Sequence, residues 1–570
     1  MSLRRLCLSL LVFVPLFAVG PPAYAERLEF RHLSLDLPAA PAVLLPVDLD
    51  GDGRRDLVTA LVYTEWDQIS IEESTEMDGV EGLVEVLTIV PSLAERRELR
   101  VWLADPSAPS GYRPAGQWME LDRSVVGLEA GPPGIPVLAL TDEGLATLVL
   151  DDEGLRFEAL VADPPVHAGT GTLIPNLGIV QDVSGDGIDD VMLPARDGLA
   201  IYLGTGDGIA PEAAFRRGMP SDEFDTLRGR RVRRYPLPQV RDVTGDGLPD
   251  LLIPDRTTGW RDFHVVINRG HGVFDLPIEV EAPESCREEK DAEGTKSEPA
   301  LCLMGQPRHF GDLDGDGLAE WMVREDLSDP DAGLRKEIKE AKNPPGVFRL
   351  YRSRNASLGD FAPESEHYAE FRAVGYSIEI QSDQSDGDDG FRLPGGLADL
   401  DGDGDQDLIA VTLDFSAFQL LRVMTTKTFG MGVDLHLFCL GEDGYKPVAG
   451  LDLSGKFRIH LDDIRMSHLS VFEGDFDADG RRDFVQLGRG KNVTIHGGRE
   501  GCRYPTEPDW TIRLEKEPAN LALVRIEDFD GDERSDLGVL QPLPRPEDGA
   551  SRAVRLELYL SSERSTEASR

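Results

Sequence analysis

A nine-residue acidic turn recurs seven times along this chain, and nothing else in the sequence constrains the fold as tightly. Its pattern is Asp, a free position, Asp or Ser or Thr, a small residue, Asp, Gly (once Glu), two free positions, then Asp or Glu. An apolar run follows each copy. At positions 1, 3, 5, 7 and 9 the first copy carries Asp48, Asp50, Asp52, Arg54 and Asp56. The second carries Asp182, Ser184, Asp186, Ile188 and Asp190, and the third Asp242, Thr244, Asp246, Leu248 and Asp250. Asp312, Asp314, Asp316, Leu318 and Glu320 make the fourth; Asp399, Asp401, Asp403, Asp405 and Asp407 make the fifth. The last two are Asp475, Asp477, Asp479, Arg481 and Asp483, then Asp528, Asp530, Asp532, Arg534 and Asp536. One copy is a modest signal, and seven are a strong one.

Oxygens at alternate positions are the donor set of a hard cation. Ca²⁺ takes six to eight oxygens at about 2.3–2.6 Å in flexible geometry. Side chains at positions 1, 3, 5 and 9, with the backbone carbonyl of position 7, supply most of that shell if the loop curls around the ion. Glycine at position 6 permits the positive φ such a reversal needs. Mg²⁺ demands tighter octahedral geometry and keeps its water. Transition metals prefer nitrogen or sulfur, which these loops lack. Calcium is therefore the expected cofactor. Ser184 and Thr244 reduce the ligand charge of their loops, while Glu320 keeps the charge with a longer reach. Glu533 stands in the glycine slot of the last copy, where a positive φ is uncommon for a side-chain-bearing residue. The last site is expected to be the weakest or most distorted.

The first half of the turn is shared with the EF-hand, which also needs Glu at position 12 and a helix on each side. Position 12 here is Thr59, Leu193, Ile253, Val323, Ala410, Gln486 and Val539. Leu57-Val58, Leu251-Leu252, Leu408-Ile409 and Phe484-Val485 follow position 9 and read as buried strand. The turn joins two strands, so the EF-hand reading fails.

Seven strand–turn–strand units in series predict an all-β chain folded as a β-propeller, a ring of four-stranded blades. The turns begin at 48, 182, 242, 312, 399, 475 and 528, so the first interval is about twice the others. A blade without an acidic turn is expected inside it. Val125 to Ala162 fits: Val137-Leu-Ala-Leu, a turn at Asp142, Leu145 to Leu150, a turn at Asp151, then Leu155 to Leu160. That gives eight blades; a seven-blade ring with this segment as an insertion is the alternative. Leu28 to Leu37 alternates like a strand but has no blade of its own. It is expected to complete the last blade and remove an open edge.

Residues 1–25 read as a cleaved secretory signal: Arg4 and Arg5, an apolar run from Leu6 to Val19, and small residues at Ala23 and Ala25. Residues 26–565 form one propeller domain, and 566–570 a tail. No later stretch is long and apolar enough to cross a bilayer, so the protein is expected to be secreted or periplasmic, without a membrane span. Its 59 Lys and Arg stand against 104 Asp and Glu, a balance that repels phosphate backbones and excludes nucleic acid. Cys286, Cys302, Cys439 and Cys502 remain beyond the signal. Cys286 and Cys302 flank a polar stretch that would take a clasp, leaving Cys439 and Cys502 to pair across neighbouring repeats, but three connectivities stay open. Their spacing is wrong for a zinc site, which wants close pairs. Polar excursions at 65–81, 287–299, 329–345 (with a short helix at 334–342) and 383–389 are read as loops on the rim.

The acidic turns, with their flanking strands, strongly resemble the FG-GAP/VCBS repeats of integrin α heads and of many exported bacterial proteins. The resemblance covers most of the mature chain. It implies a β-propeller in which each loop links two strands of one blade, structural calcium, and functions of adhesion or of carbohydrate and protein binding. A clear Phe-Gly…Gly-Ala-Pro signature is missing, so integrin-type partner binding is not implied. The expected role is a binding, adhesion or interaction scaffold for a protein or carbohydrate on a propeller face. The alternative is a polysaccharide lyase or hydrolase. Against an enzyme, the sequence contains no Gly-x-Ser-x-Gly, no His-Glu-x-x-His and no catalytic-cysteine context. His167, His264, His309, His436 and His496 are the histidines that could face a central channel.

Overall fold

The structure is a computed structural model. It describes residues 28–63, 96–165 (save 123 and 153), 178–218, 222–225, 231–234, 237–255, 262–280, 310–326, 343, 345–353, 369–374, 396–414, 428–441, 444–448, 453–460, 469–487, 490–518, 523–544 and 553–563. The segment 1–25 read as a signal, Cys286, Cys302, His167, His309, the helix expected at 334–342 and the tail lie outside the described residues. So do the polar excursions, save for the ends of the 329–345 segment at 343 and 345. No helix among the described residues is long and apolar enough to cross a membrane.

Eight antiparallel sheets form an eight-bladed β-propeller. The first blade runs Ala40–Val47, Asp56–Tyr63, Arg96–Ala104 and Tyr112–Glu120. The second, the blade expected without an acidic turn, runs Val125–Ala130, Val137–Thr141, Gly144–Asp151 and Gly154–Val161. The third to seventh lie within 180–217, 239–280, 310–374, 396–460 and 469–513. The eighth joins Val524–Glu527, Asp536–Pro542 and Val554–Glu563 to the N-terminal strand Leu28–Leu37. The seven-blade alternative is thereby excluded. Three additions were not legible in the sequence: two small ribbons, 204–209 and 222–234, and a fifth strand, Leu453–His460, on the sixth blade.

The apolar run behind each turn is continuous, not alternating, because each blade is sandwiched between two others. Successive residues of a strand point to opposite faces, and here both faces are interior. In the fourth blade Leu251 and Ile253 pack with Met192 and Ile201 of the third. Leu252 between them packs with Phe310 and Trp321 of the fifth. In the sixth, Leu408 and Ala410 meet Met322 and Phe348 of the fifth, while Ile409 and Val411 meet Val471 and Val485 of the seventh. Each leucine or isoleucine buried this way contributes about 1.5–3 kcal/mol, spread over every blade junction.

The ring closes by mixing its two chain ends. Leu28–Leu37 pairs antiparallel with Val554–Glu563, from Leu28 opposite Glu563 to Leu37 opposite Val554. Leu35 and Leu37 pack with Leu57 and Leu61 of the first blade and Leu556 and Leu558 of the eighth. Arg555 adds an ion pair to Asp36 at 2.6 Å.

In the second blade the acidic turn is replaced by Gly131-Pro-Pro-Gly-Ile-Pro136, a tight link in which Ile135 N–H donates to the Pro132 carbonyl. The neighbouring Glu129 carboxylate accepts from Ile179 N–H at 3.0 Å and so joins the second blade to the third. Burial pushes its pKa up to about 7.

Two outcomes are expected. Leu37→Ala should cost about 2–5 kcal/mol, and removing residues 28–37 should lower the melting temperature sharply; an unchanged melt after that deletion would refute closure by this strand. Because the folded pKa of Glu129 lies above its ordinary value, its contribution is present in acid and is lost as pH rises through about 7. Glu129→Gln keeps an acceptor for Ile179 N–H and removes the ionisation. The variant should therefore gain on the wild type as pH rises from about 5 to about 8, and a pH-independent difference in urea midpoints would contradict this.

Candidate metal centre

The seven acidic turns have one backbone path, drawn by their own carboxylates. The position-1 Asp accepts from the position-6 N–H in every loop, at 2.7–3.1 Å. The position-5 Asp accepts from the N–H two residues on, at 2.9–3.0 Å. Positions 4 and 6 both take positive φ: Gly51 and Gly53 stand at 76° and 83°. The sequence reading recognised the need only at position 6. Where glycine is missing, the path is kept: Ala478 at position 4 has φ 55° and Glu533 at position 6 has φ 68°. The last site was expected to be the weakest or most distorted; its path is not distorted, since Glu533 N–H still donates to Asp528 and the surrounding bonds match the other copies.

Position 9 is the clamp. Asp56, Asp190, Asp250, Glu320, Asp407, Asp483 and Asp536 are all buried, none more than 1 % exposed. One oxygen of each accepts from the position-2 N–H, at 2.8–3.1 Å. In six loops the other accepts from a backbone N–H at the end of the blade's third strand: Ala104, Gly204, Asn268, Leu440, Gly498 and Ser561. In the fourth, Glu320 reaches instead to Arg352 Nε at 3.0 Å.

The side chains converge. Ligand-capable atoms of Asp48, Asp50 and Asp56 lie within 4.8 Å of one another. So do those of Asp312, Asp314, Asp316 and Glu320, of Asp399, Asp401 and Asp403, and of Asp475, Asp477 and Asp483. Position 3 is the telling one. The atoms Thr244 Oγ1, Asp314 Oδ1, Asp401 Oδ1 and Asp477 Oδ1 are buried without a hydrogen-bond partner. Buried acceptors left unpaired cost about 1–3 kcal/mol each, and here the same position is orphaned in four loops. The donor set is all oxygen, hard and anionic, and fits a hard divalent cation.

Electrostatics point the same way. Burial, reinforced by neighbouring carboxylates, pushes Asp407, Asp483 and Asp536 up to about 7 and Asp250 and Asp477 up to about 6. Asp405, the position-7 carboxylate of the fifth loop, rises to about 6 through burial and then through Asp403, Asp314 and Asp312. Nearby positive charge would relieve this repulsion, and the fourth loop already has some. Arg352 pairs with Asp314, with Asp316 at 2.9 Å and with Glu320. In the first and sixth loops Arg54 and Arg481 turn back onto their own position-5 carboxylates, Asp52 and Asp479.

Two features went unread in the sequence, although both recur in it. Position 2 is apolar, and its side chain wedges between its own blade and the next: Val243 joins the fourth–fifth core, Leu313 the fifth–sixth and Phe529 the eighth–first. In four loops position 8 reaches back to the preceding blade's loop. Gln406 N–H donates to the Leu313 carbonyl, Arg482 N–H to Leu400, Ser535 N–H to Asp475, and the Arg55 guanidinium to Asp528. The loops of the fifth to eighth blades and of the first are thus linked in series.

Among the described residues, the histidines do not come together as a site. His496 donates from Nδ1 to, or shares a proton with, the Pro505 carbonyl at 2.8 Å and is buried. His436 bonds the Thr412 hydroxyl on the adjacent strand, and His264 lies opposite Ile253 within the fourth blade. Of the open cysteine pairings, the structure contains Cys439–Cys502, linking the sixth blade to the seventh.

No family model matches this sequence, and no curated protein matches it. Among solved structures, a chain of the TcdB2-TccC3-TEV crystal structure aligns with 93 % of this chain at 11 % identity and a TM-score of 0.16. This chain spans 28 % of that one. A likeness of that degree carries no argument, and the fold assignment rests on the strand pairing itself.

Replacing Glu533 with glycine should release left-handed strain. We expect Glu533→Gly to gain about 1 kcal/mol by chemical denaturation, and a loss of stability would show that the glutamate side chain holds the loop.

Proposed function

We propose that the protein is an exported, calcium-binding β-propeller of the FG-GAP/VCBS kind, serving as a scaffold that presents a propeller face to a protein or carbohydrate ligand. The observation that carries the calcium reading is the orphaned position-3 oxygen, buried beside anionic partners in four loops. Positions 1, 3, 5 and 9 would hold the ion with the position-7 carbonyl, and the ion would supply charge neutralisation. Each carboxylate oxygen that accepts an N–H bond retains a second lone pair for a metal, so the clamp and the cation are compatible.

The role assigned to the cation is structural. Its loops sit at blade junctions, and they hold no general acid–base pair set apart from the clamp. A ring of blades is compatible with a binding scaffold, because its loops and faces vary without disturbing the junctions. Export follows from the N-terminal segment and suits the calcium-rich exterior, where even weak sites fill.

The test is thermal unfolding of the full chain in calcium and in a chelator. Each loop that binds only the folded state adds about 2.7 kcal/mol at a free calcium one hundred times its dissociation constant. We therefore expect the melting temperature to climb with the logarithm of free calcium and to fall in chelator. Magnesium at equal concentration should do less. Superimposable melts in the two media would remove calcium from the account.

A further inference from the structure

Beside the fifth loop the structure assembles a second kind of donor set. Cys439 ends the third strand of the sixth blade, and Cys502 sits in a tight hairpin of the seventh, 63 residues on, with their Cα atoms 5.8 Å apart. Against them lies Asp401, position 3 of the fifth loop, so this set shares Asp401 and Asp407 with the oxygen set of that loop. Asp401 Oδ2 accepts from Gly501 N–H at 2.5 Å and Cys502 N–H at 3.3 Å, and Cys439 Sγ stands 3.9 Å from it. Asp401 is only 8 % exposed, and its Oδ1 has no hydrogen-bond partner. One ligand atom each from Asp401, Asp407, Cys439 and Cys502 all lie within 4.8 Å of one another. Cys502 and Asp407 are buried, at 0 % and 1 % exposure.

Two sulfurs and two carboxylates around one buried point make a four-ligand set of the sort that suits a tetrahedral, thiophilic divalent ion. As a disulfide the sulfurs are poor donors, because the thiolate is the metal ligand. We propose that opening the Cys439–Cys502 bond converts this corner into a zinc-class metal site formed by Cys439, Cys502, Asp401 and Asp407.

The chemistry balances with a dithiol as reductant. Two electrons and two protons pass from the dithiol to the protein sulfurs, the S–S bond breaks, and the reductant closes to its own disulfide. The metal then displaces the two thiol protons into solvent and is held by two thiolates and two carboxylates. The orienting contacts are already built. Asp407 is fixed by Leu400 and Leu440 N–H, and Asp401 by the hairpin N–H groups. Such outer contacts align ligands and spread their charge. The sequence spacing of the cysteines hides all of this, since the fold alone brings them together.

The proposal does not rest on the calcium reading, although a calcium ion in the fifth loop would compete for Asp401 and Asp407, because only thiolates give the signal that tests it and the titration is run without calcium. The experiment uses the full chain carrying Cys7→Ser, Cys286→Ser and Cys302→Ser, so that Cys439 and Cys502 are its only thiols. After dithiol reduction and anaerobic desalting, Co²⁺ is titrated in. One Co²⁺ per chain should bind with thiolate-to-cobalt charge-transfer absorption and tetrahedral visible bands, and Zn²⁺ should displace it. The oxidised chain should show neither. Cys439→Ser should abolish the charge-transfer signal, and Asp401→Asn should weaken binding by about tenfold or more. As a second readout, Zn²⁺ should protect both cysteines of the reduced chain from alkylation, followed residue by residue by mass spectrometry. No charge-transfer absorption in the reduced chain overturns the proposal. So does binding untouched by Asp401→Asn together with Asp407→Asn. If reduction loosens the fold, Zn²⁺ should restore the near-ultraviolet circular dichroism, and failure to restore it overturns the proposal equally.

Discussion

The structure depends on one repeated constraint: a buried carboxylate that ties a loop to its blade. At position 9 an acidic group is taken almost wholly out of water, a transfer that is costly unless every oxygen finds a donor. In six loops both oxygens bond backbone N–H groups, one in the loop and one at the end of the third strand. That single residue fixes the curl of the loop, the start of the second strand and the end of the third. The buried apolar strands can then run on without alternation, because their ends are registered by the carboxylate.

Much of this was legible in the sequence. Seven copies of an acidic turn between apolar runs gave the strands, the number of acidic loops and the interval where a blade without one had to fit. The N-terminal strand could be placed because alternation in Leu28 to Leu37 left it without a local partner. Other features were out of reach for physical reasons. Which blade junction a residue serves is decided by strand parity within a ring, as with Leu251 and Leu252, and parity has no meaning until the ring exists. Position 2 was visible as an apolar residue in an acidic motif, but the core it enters belongs to two blades and exists only once they are packed. Arg352 could not be foreseen, since it comes from a strand 32 residues beyond Glu320. The expectation of distortion at Glu533 treated strain as if it must be relieved locally. Instead, Gly531, Asp528 and Asp536 hold the path, and the residue bears the conformation.

Loop and junction are coupled around the rim. The position-8 contact ties each of several loops to the one before it, and the position-2 side chain packs into the core between the blades. A change in the charge of one loop is therefore felt by its neighbour, as Asp405 shows by responding to Asp312 and Asp314. The interruption falls at the second blade, where a proline-rich link stands in for the loop and Glu129 makes the inter-blade bond in its place.

Fastening the first strand to the last has a consequence for how the molecule comes into being. His32 and Glu557, in contact in the finished ring, are 525 residues apart along the chain. The strand made earliest must stay unpartnered until nearly all the rest has been synthesised, with its edge open to any other strand. Seven blades can stack as they emerge, each on its predecessor, but the eighth waits for both termini. If the blades form in chain order, sealing the ring is a long-range step that comes last, and until then the edges it will join stay open.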